Sequence, residues 1–174
     1  MIFTGDLLSL LRLLNEHRVE YMVIGGAAVN IHGFSRSTGD MDIWFNPTQE
    51  NFEHLHQAIE KFGFEVPDEF RKLEYIRSRG LIRLPLEKFY VEFLADVGAK
   101  FRFEELYPRC EVTTLDEDLE LKVIGYSDLI SLKLSVHRAK DLEDVKNLER
   151  VRNKAGRKSN LYQKLVKRLS DFWS

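Results

Sequence analysis

The chain has 174 residues, is 44% hydrophobic and 31% charged, and carries a formal net charge of −2, the balance of one soluble globular domain with a sizeable core. Its apolar runs last only a few residues, which excludes a transmembrane helix, and the Met1-Ile2-Phe3 start lacks the basic region and cleavage site of a signal peptide. A single cysteine, Cys110, excludes an internal disulfide or a cysteine-rich zinc site, so a reducing cytoplasm is the expected compartment.

Asp6 to His17 carries Leu7, Leu8, Leu10, Leu11 and Leu14 at helical spacing, with Asp6 placed to cap. Tyr21 to Ile24 is a short apolar run that meets Gly25-Gly26, the pattern of a buried strand ending in a tight turn. Ala27 to His32 suits a short helix closed by Gly33. Met41 to Phe45 is strand-like and stops at Asn46-Pro47, and Gln49 to Phe62 predicts a helix with Phe52, Leu55, Ile59 and Phe62 on one face. Residues 68–79 read as helical, Leu81 to Leu84 and Phe89 to Val97 as strands around Pro85, and 99–109 as a helical turn or loop. Cys110 to Leu115 and Leu119 to Ile124 predict a hairpin turning at Asp116-Glu117-Asp118. Three helical segments follow, Tyr126 to Val136, Asp141 to Arg152 and Leu161 to Phe172, with Gly156 marking a break. The expected fold class is α+β: a mixed sheet flanked by helices, with 1–125 as core and 126–174 as a helical cap packed on it.

Charge is divided unevenly. Residues 1–137 carry 15 basic and 23 acidic side chains, whereas residues 138–168 carry 11 and 4. An acidic body with a basic tail is either a solvated helical surface or a contact for a polyanion such as RNA.

The informative stretch is 21–45, YMVIGGAAVNIHGFSRSTGDMDIWF. A strand that ends in Gly25-Gly26 and enters a helix exposes backbone N–H groups and lets a phosphate approach closely. Asp40 and Asp42, two apart on a strand, put both carboxylates on one face, as hard oxygen ligands for Mg²⁺. Eleven aspartates in 174 residues give less than one Asp-x-Asp pair by chance, yet Asp40/Asp42 and Asp116/Asp118 both occur. The second pair has no glycine-rich partner, whereas the first follows the Gly-Gly turn. A third ligand for a two-metal site should come from a neighbouring strand, where Glu92 and Asp96 are the candidates. Glu92 is favoured, because a charge mid-strand between Val91 and Phe93 costs several kcal/mol unless paired or metal-bound. Arg36 and Thr38, in the loop before Asp40, either shape that loop or hydrogen-bond a triphosphate. Lys133 is the only cation of the apolar helix 126–136 and either snorkels or faces a pocket. His137 follows Lys133 by four residues, on the same helical face; His32 closes a helix as a structural residue, and Trp44 and Phe45 belong to the core.

The runs GGAAVNIHGFSRSTGDMDI, YVEFLADVG and YSDLISLKLSVHRAKDLEDVKNL, taken in order over residues 5–150, resemble the small bacterial nucleotidyltransferases of the DNA-polymerase-beta-like superfamily. The likeness is nearest to the branch of AbiEii/AbiGii-type toxins and their short relatives. The resemblance implies that Gly25 and Gly26 form a phosphate-binding turn and that Asp40, Asp42 and Glu92 are catalytic residues holding Mg²⁺, two ions in the full site. Glu92 stands where such families have aspartate, one methylene shorter. It further implies that Lys133 approaches the nucleotide phosphates, while Arg138, Lys140 and Asp141 fill an Arg-x-Lys-Asp signature; Asp141 also suits a helix N-cap.

The expected activity is Mg²⁺-dependent transfer of an NMP from an NTP to an acceptor. RNA (tRNA included), reached through 138–168, or a protein in a toxin–antitoxin pair is the favoured acceptor, with a small antibiotic as the alternative. A second hypothesis is a catalytically weak or inactive nucleotide-binding partner, antitoxin-like. A third, an RNA-binding module acting through the basic tail, leaves the Asp40/Asp42 pair without a role.

Overall fold

The computed structural model describes residues 5–172 except 88 and 117, and for 79 and 157–172 the backbone alone. Among the described residues six strands form one sheet: β1 (Tyr21–Val23), β2 (Asp40–Phe45), β3 (Leu81–Pro85), β4 (Tyr90–Leu94), β5 (Glu111–Asp116) and β6 (Leu119–Val123). Their order is β3-β4-β2-β1-β6-β5. β1 runs antiparallel to β2 and parallel to β6, β2 runs parallel to β4, and the outer pairs β3/β4 and β5/β6 are antiparallel. The sheet is mixed and the class α+β, as expected.

Strand β2 shows how the sequence sorts the two faces. Period-two alternation buries Met41, Ile43 and Phe45 completely on one side and sends Asp40, Asp42 and Trp44 to the other. The first side is covered by α3 (Gln49–Phe62), whose Phe52 ring stacks on Phe45 with centroids 5.7 Å apart. Thr48 caps α3 by accepting from the Asn51 N–H, and Gly63 closes it in the left-handed conformation. Helix α1 (Gly5–Glu16) packs on α3 and buries Leu7, Leu10, Leu11 and Leu14. On the Asp42 side α2 (Gly25–Ile31) lies against β2 and α6 (Tyr126–Val136), and α7 (Ala139–Phe172) packs on α6. Helix α4 (Leu73–Arg79) and a 3₁₀ turn at Asp68–Arg71 occupy the segment expected to be helical. Helix α5 (Phe103–Leu106) brings Phe103 edge-on to Trp44, 5.4 Å between centroids.

Two expectations need correction. β4 ends at Leu94, so Asp96 lies past the strand, where its Oδ1 accepts the Gly98 N–H at 2.8 Å. Helix α7 runs unbroken through Gly156 for 34 residues. An isolated glycine costs a helix about 1 kcal/mol relative to alanine, which a helix of this length absorbs without ending. No helix among the described residues is long and apolar enough to cross a membrane.

Candidate active site

The chain leaves β1 and enters α2 through Gly25, whose φ of +62° is left-handed and suits glycine. Space demands glycine as well: a Cβ on Gly25 would stand 1.8 Å from Asp42 Oδ2. The next residue, Gly26, is buried, donates its backbone N–H to the Asp42 carboxylate, and would bring a Cβ within 2.6 Å of Thr38 Oγ1. The group that comes close to this turn here is the Asp42 carboxylate.

Asp42 pairs in register with Glu92 on the parallel neighbour β4, so Asp40, Asp42 and Glu92 share one face of the sheet. The crowding is felt at Asp42. Burial, reinforced by the charges of Asp40 and Glu92, pushes its carboxyl up to about 6, against the opposing pull of the Gly26 N–H and Lys133. The Thr38 hydroxyl donates towards Asp40, 3.1 Å from Oδ1 and 3.0 Å from the carbonyl, so it orients the first carboxylate. Glu92 is 8% exposed, and its Oε1 accepts from Arg83 Nε at 2.7 Å across the β3–β4 pairing. Arg83 thus compensates the buried charge that the sequence assigns to a metal. Among the described residues no three His, Cys, Asp or Glu groups are gathered as a ready metal cluster.

The cations form a second layer. Lys133 does not snorkel: it is 5% exposed, and its Nζ donates to Asp141 at 3.0 Å and lies 2.8 Å from Asp144. Arg36 forms a fork with Asp144, Nε to Oδ1 at 2.7 Å and Nη2 to Oδ2 at 2.9 Å, while Nη1 donates to the Ser37 carbonyl. Asn30 clamps the Arg36 backbone from both sides, donating to its carbonyl and accepting from its N–H. Asp141 lies in the first turn of α7 and accepts from Arg138 Nε at 2.6 Å, so it is an ion-pair partner more than a cap. Burial pushes the Asp141 and Asp144 carboxyls up, but their hydrogen bonds to Arg138, Arg36 and Lys133 outweigh it and hold both below the ordinary aspartate range.

These groups line two adjoining lobes. One, of about 250 Å³, is bounded by Gly25, Gly26, Arg36, Thr38, Asp40 and Lys140. The other, of about 310 Å³, has apolar walls from Leu94, Val97, Leu129, Leu132 and Val136. Asp42, Glu92, Lys133, Arg138 and Asp141 border both. Every site residue expected from the sequence borders the polar lobe. His137 does not join them: α6 ends at Val136, and His137 caps it exposed, with φ +57°, so it leaves the buried face of Lys133. His32 is structural, its Nε2 2.8 Å from the Ile124 carbonyl oxygen.

Asp144, Arg83 and Asn30 escape the sequence reading. For Asp144 a signal exists: Asp141, Asp144, Val145 and Leu148 follow i, i+3, i+4, i+7 spacing and are all buried, a core stripe with two acids in it. Arg83 carries no such mark, since only the β3–β4 register makes it the partner of Glu92.

The family model described as "Nucleotidyl transferase of unknown function (DUF2204)" matches residues 4–174. The chain belongs to this nucleotidyl transferase family. No curated protein sequence matches it significantly. Among solved structures it is similar to the lincosamide antibiotic adenylyltransferase LnuA bound to lincomycin, with TM-score 0.53 and 19% identity over 84% of this chain and 96% of that one. It is also similar to the antibiotic-resistance factor ANT(2'')-Ia, with TM-score 0.53 and 14% identity over 95% and 96% of the two chains. Identities this low establish a shared fold.

One prediction for this nucleotidyl transferase follows from the glycines. Gly25→Ala should lower the rate of pyrophosphate release from NTP by about a hundredfold, because the new Cβ must displace Asp42 and misplacement by an ångström is worth that much. The left-handed dihedral should cost about 1–2 kcal/mol of stability. Gly26→Val should act through Thr38 and Asp40 and reduce NTP affinity with the fold retained. Thermal unfolding measured beside the release assay separates the two losses; a Gly25→Ala enzyme of undiminished rate would contradict the assignment of Asp42.

Proposed function

We propose that this nucleotidyl transferase moves an NMP from an NTP to a hydroxyl acceptor with release of pyrophosphate, with Asp40, Asp42 and Glu92 as the Mg²⁺ ligands. The observation that carries the reading is the crowding at Asp42, a carboxylate pushed up to about 6 by burial and by two neighbouring acids on one sheet face. Such a site gains from a cation. The polar lobe supports the same conclusion: four carboxylates and four cations border it, so a triphosphate entering it needs counter-charge. When bound, Mg²⁺ supplies Lewis-acid neutralisation of phosphoryl oxygens. The remaining tasks belong to the chain. Gly25 and Gly26 leave the room that Asp42 and Thr38 occupy at the lobe wall, Thr38 orients Asp40, and the layer of Arg36, Lys133 and Arg138 offers donors to the β- and γ-phosphates. Glu92, at the border of the two lobes, is the candidate we favour to accept the acceptor's proton.

Titrating a non-hydrolysable NTP analogue with Mg²⁺ tests this assignment. Asp40→Asn should weaken the Mg²⁺-dependent part of binding by about tenfold or more; equal affinity in both proteins would refute the metal-ligand role. With a hydrolysable NTP in place of the analogue, binding without transfer to any acceptor would favour the inactive, antitoxin-like partner instead.

For the acceptor, RNA or a protein within a toxin–antitoxin pair of the AbiEii type is one reading, supported by the exposed cations Arg150 and Lys154 on α7. Arg152 is already stacked 4.3 Å from the Tyr126 ring centroid, and the side chains of Arg157 and Lys158 lie outside the described residues. A small hydroxyl-bearing acceptor is the second reading, favoured by the apolar lobe beside Glu92. Neutralising Arg150, Arg152 and Lys154 together decides between them. If RNA is the acceptor, its affinity should fall and its salt dependence flatten by up to three charges' worth of counterion release, with NTP binding intact. An unchanged salt slope would leave small-molecule and protein acceptors as the better account.

A further inference from the structure

We propose that Asp144 is a positioning residue for polyphosphate: one buried carboxylate sets the Arg36 guanidinium and the Lys133 ammonium side by side at the wall of the polar lobe. The proposal rests on the reading of that lobe as the nucleotide site. Asp144 is 1% exposed and belongs to α7, Lys133 to α6, and Arg36 to the loop that leads into β2, so three separate parts of the fold meet at this carboxylate. Arg36, Lys133 and Arg138 bring three positive charges to the two carboxylates Asp144 and Asp141, so the cluster keeps a surplus of one positive charge at the lobe wall. The arrangement suits a ligand that itself carries several negative oxygens.

Donor arithmetic points the same way. Arg36 has five N–H groups and commits two to Asp144 and one to the Ser37 carbonyl, leaving two. Lys133 has three and commits one each to Asp141 and Asp144, leaving one. Both residues border the polar lobe together with Gly26, Thr38 and Asp40. Stability alone is a weak reason for such a network, because a buried ion-pair cluster is commonly no better than well-packed apolar side chains of the same volume. The fork from Asp144 instead fixes the plane of the Arg36 guanidinium, a geometry that lysine could not reproduce.

The test is calorimetric titration of the full chain with inorganic pyrophosphate and with ATP, each in the presence of Mg²⁺. Asp144→Asn should weaken both ligands by about tenfold or more, the scale of removing one charge-assisted hydrogen bond to a phosphate. On an Arg36→Gln background the same substitution should cost less than about threefold, because its effect travels largely through Arg36. Arg36→Lys, which keeps the charge and loses the fork, should weaken pyrophosphate about as much as Asp144→Asn does, and it decides the matter if Asp144→Asn does not fold. Affinities within twofold of wild type in Asp144→Asn, or a full and additive loss on the Arg36→Gln background, would overturn the proposal. So would wild-type affinity in Arg36→Lys. A wild-type protein that binds neither pyrophosphate nor ATP would overturn the nucleotide reading itself, and this proposal with it.

Discussion

Asp42→Asn should abolish nucleotidyl transfer, by about a thousandfold or more, and should at the same time raise the stability of the metal-free protein at pH 8. The loss follows from the proposed role of Asp42 as a charged metal ligand, which would contribute several kcal/mol to the transition state. The gain follows from linkage. Asp42 is pushed up from 3.8 to about 6, first by burial and then by Asp40 and Glu92. A carboxyl raised in the folded state contributes stability that is complete below its unfolded value near 3.8 and is lost as pH rises through about 6. At pH 8 the wild-type protein therefore carries an ionised carboxylate that the fold disfavours, and asparagine removes it. The expected gain is about 1–2 kcal/mol, discounted for the part of Asp42 that water reaches. Denaturation curves in EDTA at pH 8 and pH 4 check it: the variant should be the more stable at pH 8, and the advantage should vanish by pH 4. Stabilisation at the expense of activity is the expected signature of a site built for a ligand.

Lys133→Met should destabilise the fold by about 3 kcal/mol or more, because it leaves Asp141 and Asp144 buried without the cation they share. Their exposures are 3% and 1%, so water cannot substitute for the lost ammonium. Arg138 and Arg36 still pair with them, which keeps the cost near the lower end of the range for a broken buried pair. Adding Asp141→Asn to Lys133→Met should recover part of the loss, measured by urea denaturation at neutral pH. The linkage sign here is opposite to that of Asp42. Both aspartates are held below their ordinary value, so their contribution is present above pH 3.8 and disappears as pH falls further. Wild-type stability in Lys133→Met would mean that the Asp141–Lys133–Asp144 network does not hold the protein in this form. The result also matters for assays: weak NTP use by a Lys133 variant reports on phosphate only when its folding has been measured beside it.

The sequence was most legible where local pattern and tertiary role coincide. Asp40 and Asp42 are read from period two, the turn from Gly25-Gly26, and the buried faces of α1 and α3 from leucine and phenylalanine spacing. The Glu92 position is legible from its place between Val91 and Phe93, but its compensation by Arg83 is not, since that depends on how β3 pairs with β4. Lys133 was recognisable as an unusual cation, whereas its pairing with Asp141 and Asp144 depends on how α7 packs on α6. His137 and Gly156 show the limit of helical spacing: one residue past the end of α6 the periodicity no longer predicts direction, and one glycine does not end a long helix.

The most direct measurement of the central claim is label transfer from an α-³²P-labelled NTP in Mg²⁺, offered in parallel to total RNA, to cellular protein and to a panel of small hydroxylated acceptors. Transfer of labelled NMP to one acceptor class with stoichiometric release of pyrophosphate, lost in Asp42→Asn and sharply reduced in Glu92→Gln, is the expected result. Transfer that persists undiminished in Asp42→Asn would contradict the assignment of the three carboxylates as the reacting centre.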